Sequence, residues 1–388
     1  MKTIALVVLA ALLAACSSTT VRTTEYVQVV RDSTPIEEEL LLDVGITVFE
    51  PGIDELDDDD LERVSPAIRN AESRYVPYLL AETLQRSGNW GVVRVLPSDT
   101  TTMDVYVQGQ ILNSDGESMR LKVSVSDSSG LVWYIKEYEE FISKFNYEAV
   151  QRQANDPFQV IYNKIANDLL AYRNKQIDDQ RIRQIRTISE LQFAKQFAPE
   201  LFAEYLTFDN RGVAQIKRLP AQNDPSLNRI KEIRQRDNLF VDTVQDYYAT
   251  YVRQMRTPYD AWREQSHDAV INLREVEASA RRRLIIGGLA VVGGIAGASS
   301  SNASVETGSI VGVGAGGYLI KSGFDKLAEA QIHVAALQEI SESLETEVAP
   351  RMIDLDDRTI MLTGTVEEQY AQWKEILIEL YEVETGGI

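Results

Sequence analysis

The chain has 388 residues, 44% of them hydrophobic, and 39 basic against 59 acidic side chains give a formal net charge of −20. That is enough chain for two or three domains with apolar cores of their own. The acidity argues against nucleic acid, which needs a basic footprint, and against electrostatic binding to anionic head groups.

The chain opens with Lys2, a short apolar run over residues 4–13 and the small residues Ala14 and Ala15. This is the layout of a secretory signal with a small-residue cleavage site, and it is too short to span a bilayer. Cys16 follows and is the single cysteine of the chain, so it forms no internal disulfide. Leu13-Ala14-Ala15-Cys16 resembles the lipobox of bacterial lipoproteins. The resemblance implies removal of residues 1–15, diacylglycerol on the Cys16 sulfur and an acyl chain on the new amino terminus. A thiolate is the strongest nucleophile available for taking up lipid, and two or three chains anchor stably where one does not. Ser17, the second residue after cleavage, stands where inner-membrane retention would place an aspartate, so the resemblance implies the outer membrane, with the protein facing the periplasm.

Residues 16–39 begin rich in Ser and Thr and read as a tether, with "EYVQVV" alternating as an edge strand would. Residues 40–145 read as one α/β domain. "LLLDVGITVFEPG" is a buried strand ended by Pro51-Gly52. Ser65-Pro66 is a helix start, and the helix stops at Ser87-Gly88. "WGVVRVLP", "MDVYVQGQIL", "MRLKVSVSD" and "LVWYIKEYEEF" are four further strands. The last three are joined by turns that place Gly116 and Gly130 at positive φ. The order is β-α-β-β-β-β. The strand, the helix ending "LAETLQRSGNWGVVRVLP", then "DVYVQGQI" and the "LKVSVSDSSGLVW" hairpin resemble the periplasmic α/β domain of CsgG-type secretion lipoproteins. TolB amino-terminal domains and penicillin-binding-protein-activator lipoproteins share that general shape. The paired amphipathic hairpins that form the CsgG-type pore are not read in this sequence.

Residues 156–283 read as a helical domain. Asp156-Pro157 and Asp224-Pro225 are cap-plus-proline starts, and Phe158, Ile161, Ile165, Leu169 and Tyr172 recur at helical spacing. Residues 208–225 read as a loop, and a break is expected near Thr257-Pro258. Residues 284–323 form a glycine-rich apolar segment, uncharged over 284–305 and 307–320, with small residues every four positions: Ala290, Gly294, Ala298, then Gly308, Gly312, Gly316. That spacing lets helix backbones touch. It reads as a glycine-zipper hairpin for self-association or membrane contact. A membrane hairpin, a helix pair packed in an oligomer or core, and a flexible loop all stay open. Residues 324–388 read as a helix, a hairpin turning at Asp356-Asp357, and a closing helix with Tyr370, Trp373, Leu377 and Leu380 on one face. "DDRTIMLTGTV" resembles the strand pair of BON domains. The fold class expected is therefore α+β.

Little in the sequence selects chemistry. Gly312-x-Gly314-x-x-Gly317 matches the dinucleotide pattern but sits among small residues outside any βαβ unit. His267 and His333 lack partners at metal spacing, so no metal, cofactor or catalytic residue is expected. The acidic run 54–60 lacks the spacing of a calcium loop and reads as a solvated loop or docking patch. The expected function is a non-enzymatic, lipid-anchored scaffold of an envelope machine for secretion, polymer export or cell-wall work. Its expected partners are the outer membrane through Cys16 and either further copies of itself or other envelope proteins, with no nucleic acid. Two alternatives are an adaptor or activator of a cell-wall synthase, and an envelope hydrolase.

Overall fold

The computed structural model describes residues 26–32, 34–54, 65–147, 155–221, 224–297, 351–354 and 359–385, with backbone alone for 269, 272–297, 351–354 and 359. The fold is mixed α and β, built on a five-stranded mixed sheet. Its strands are β1 (Val44–Ile46), β2 (Val93–Val95), β3 (Val105–Ser114), β4 (Ser118–Asp127) and β5 (Val132–Phe141), in the spatial order β2-β1-β3-β4-β5. Helix α1 (Pro66–Ser87) links β1 to β2. β1 is parallel to both β2 and β3, while β3, β4 and β5 form an antiparallel meander.

Local chemistry explains the order. Pro66 stands at the start of α1, and Gly88 ends it in the left-handed region at φ 69°. Ser65 is the residue before the helix but makes no side-chain cap; its carbonyl accepts from the Arg69 amide instead. Gly116 and Gly130 hold φ of 82° and 84° in the two meander turns. Along β3 and β4 alternate side chains are buried, so one sheet face packs and the other meets solvent.

Helices α2 (Gln159–Gln176) and α3 (Asp179–Phe197) follow, separated by Ile177 and Asp178; the Asp178 side chain caps α3 by accepting from Arg181 N at 2.7 Å. A short helix α4 (Pro199–Phe202) leads to a two-stranded hairpin, β6 (Leu206–Phe208) with β7 (Ala214–Ile216). The expected loop over 208–225 is thus partly a hairpin, with Gly212 at φ 79° making its turn. Helix α5 (Pro225–Gly297) runs 73 residues without a break, about 110 Å at the α-helical rise. The expected break at Pro258 is absent: Tyr251, Met255, Tyr259 and Trp262 are buried on either side and hold the line of the helix. Strands β8 (Arg351–Asp354) and β9 (Thr359–Leu362) pair antiparallel, and α6 (Val366–Thr385) closes the described chain. Tyr370, Trp373 and Leu377 of α6 are buried, and Leu380 packs beside them.

Residues 26–30 of "EYVQVV" join no strand among the described residues. Residues 27–32 run along α2, and asparagine side chains take their backbone groups: Asn163 donates to Val27 O, Asn167 accepts from Val30 N, and Asn89 donates to Val30 O. One apolar cluster unites the sheet, α1, α2, α3, the first part of α5 and α6.

Candidate functional site

Buried polar side chains concentrate where α5 crosses α1 and the β3–β4 turn. Glu72 of α1 is fully buried and accepts at Oε1 from Ser114 Oγ and from Tyr259 OH, each at 2.5 Å. Among the described residues its Oε2 has no hydrogen-bond partner. Arg263 of α5 is also fully buried, donating to Asp156 Oδ2 at 2.8 Å and Asp260 Oδ1 at 2.6 Å. Its guanidinium lies 4.0 Å from the Tyr259 ring centre. Tyr75 OH donates to Asp156 Oδ2, and Tyr147 OH donates to Gly116 O. Gly116 is required here twice over: its φ is positive, and a Cβ would sit 2.4 Å from Arg263 O.

Burial pushes the Glu72 carboxyl above its ordinary pKa, with Arg69, the Ser114 and Tyr259 hydroxyls and Arg263 pulling the other way. Burial works against the charge of Arg263, yet Asp156, followed by the neighbouring tyrosines and Asp260, raises its pKa well above the ordinary value. His267, one turn on from Arg263, is buried with its ring edge-on to Tyr147 and its Nδ1 3.6 Å from Asp268 Oδ1. The groups of this junction bond to one another in the interior, and none of them lines the cleft between β5 and α2 or the cleft beside Phe208. It is a polar clamp between α5 and the sheet.

A second polar contact joins α6 to α5. Tyr370 OH donates to Asp237 Oδ2 at 3.3 Å, and among the described residues buried Asp237 Oδ1 has no hydrogen-bond partner. Burial, opposed by Lys374, pushes the Asp237 carboxyl up to about 6. Lys374 is itself lowered by burial and donates to Gln196 Oε1 at 3.0 Å.

The two clefts are shallow. One, of about 330 Å³, lies between β5 and α2, and the other, of about 450 Å³, is bounded by Thr100, Tyr106, Gln196 and Phe208. Among the described residues no three or more His, Cys, Asp or Glu side chains are placed to hold a metal ion. Among them too, no helix is long and apolar enough to cross a membrane.

No family model, curated protein or solved structure matches this chain. Of the residues singled out in the sequence, Ala290 and Gly294 lie four positions apart on the α5 backbone. Cys16, Ala298, Gly308, Gly312 and Gly316 lie outside the described residues, as do His333 and most of the acidic run. Of the clamp residues, the sequence marks Asp156 only as a helix start and does not mark Glu72 or Arg263. The available signal was the 259, 263, 267 spacing, which puts an Arg and a His on the helix face that carries the buried Tyr and Met side chains.

Proposed function

We propose that the protein is a lipid-anchored outer-membrane scaffold facing the periplasm, a non-enzymatic component of an envelope machine for secretion, polymer export or cell-wall work. The supporting observation is the course of α5. The same helix that is clamped to Glu72 of α1 through Tyr259 and to Asp156 through Arg263 continues unbroken to Gly297, so Ala290 and Gly294 ride on an extension of the body's own spine. A clamp of buried charge gives that extension a defined direction, as a scaffold presenting a self-association or membrane element would need. With this reading goes a finer architecture: a glycine-zipper hairpin over 284–323, then a helix, β-hairpin and helix to the C-terminus.

Two experiments test it. Cys16→Ser should move the protein from the outer-membrane pellet to the soluble periplasmic fraction; continued pelleting removes lipid as the anchor. Light scattering of the detergent-extracted protein, with and without residues 284–323, then tests self-association. A multimer that becomes a monomer on deletion supports the scaffold. Two monomers would replace it with the adaptor or activator of a cell-wall synthase.

A further inference from the structure

The two edges of the five-stranded sheet are finished differently. At β2 the outward backbone groups are taken by glutamine side chains: Gln85 Oε1 accepts from Val93 N, while Gln245 accepts from Val95 N and donates to Val95 O, both at 2.9 Å. At β5 the outward groups are identified by the register. Ile142 N donates to Glu117 O. Antiparallel alternation then turns the backbone of residues 140, 138 and 136 toward β4 and that of Glu139, Glu137 and Ile135 away from it. Among the described residues nothing pairs with these three N–H and three C=O groups. Ile135 is 60% exposed and Val132 49% exposed beside them.

We infer that the β5 edge binds an extended peptide as a sixth strand, and that this peptide carries basic side chains at alternate positions. Only an extended backbone presents donors and acceptors at the spacing of this edge. Charge selects the side chains. On the open sheet face Lys122 stands opposite Glu137, and Arg120 opposite Glu139. The next strand in this row of alternating charge is basic where it faces those two glutamates. A second copy of β5 laid over the charged stretch 136–139 does not offer that complement. Two-fold pairing centred on Lys136, Glu137 or Tyr138 sets like charges opposite one another. On its other side the bound strand meets the β5–α2 cleft, lined by Tyr134, Ala171 and Tyr172 with Lys136 paired to Asp168 at 2.6 Å. That lining suits apolar residues between the basic ones. The inference goes beyond the scaffold reading and requires neither the anchor nor residues 284–323.

The test uses the full mature protein and three acetylated octapeptides. The first alternates lysine and valine, the second carries glutamate for lysine, and the third is the lysine peptide N-methylated at alternate amides. Amide hydrogen exchange should show Ile135, Glu137 and Glu139 gaining protection with the lysine peptide alone. Fluorescence anisotropy should show binding weakened about tenfold by Glu137→Gln with Glu139→Gln. Both glutamates are solvent-exposed, so the variant keeps the fold. Equal binding of the N-methylated peptide, equal binding of the glutamate peptide, protection elsewhere, or no binding of the lysine peptide each overturns the inference.

Discussion

At the scale of single residues, Arg263 matters most. It lies in the interior between two carboxylates, so removing its charge strands Asp156 and Asp260 without a counter-ion. Breaking a buried pair in this way costs about 3–5 kcal/mol, more than the pair contributes over an apolar replacement of both partners. Arg263→Met should therefore lower the urea midpoint sharply. Arg263→Met combined with Asp156→Asn and Asp260→Asn should recover much of the loss. If the single variant is as stable as the parent, the guanidinium is not buried as described. The clamp was only partly legible. The 259, 263, 267 spacing showed polar residues on an apolar face, but the partners Glu72 of Tyr259 and Asp156 of Arg263 lie more than 100 residues away in sequence, where no periodicity reaches.

At the scale of elements, the strands, the turns and the ends of α1 were legible because each depends on neighbours within a few residues. Gly116 and Gly130 take the positive φ expected of them, and α1 ends at Gly88 as expected. Elements went astray where distant contacts outweigh local preference. Pro258 removes one backbone hydrogen bond from α5, yet the helix passes through it because Tyr251, Met255, Tyr259 and Trp262 are held by α1 and the clamp. Pro258→Ala should restore the bond and stabilise the protein by about 1–3 kcal/mol, raising the melting temperature without altering the circular dichroism spectrum. A fall in melting temperature would mean that α5 is bent at this point. "EYVQVV" has the alternation of a strand but lies where Asn89, Asn163 and Asn167 satisfy its backbone, and side chains compete there with a sheet ladder.

At the scale of the molecule, the sheet and the helices share one core, and buried carboxylates give that core a pH dependence. Asp237 holds α5 against α6 with a folded pKa of about 6, above the ordinary carboxylate value. The folded state therefore binds more protons than the unfolded chain between about pH 4 and 6. The contribution of Asp237 is most favourable below that window and is lost as pH rises through 6. Glu72 is displaced in the same direction and adds to the trend. Asp237→Asn should flatten the stability profile between pH 4 and 6 and stabilise the protein at pH 7 by about 2 kcal/mol. Chemical denaturation across that range is the measurement, and an unchanged slope would place the Asp237 side chain in water.

By itself the sequence determined that the fold mixes helices and strands, the β-α-β-β-β-β order of elements along residues 40–145 and the turn glycines. Each of these follows from side-chain periodicity and backbone stereochemistry over a few residues. Only the tertiary structure decided that residues 40–145 and 156–283 contribute to one apolar cluster, that α5 is continuous through Pro258, and that one sheet edge is sealed while the other is open. Those outcomes depend on Gln245 meeting Val95 and on Arg263 meeting Asp156. The free energy of such meetings comes from desolvation and packing between segments that the linear chain keeps far apart.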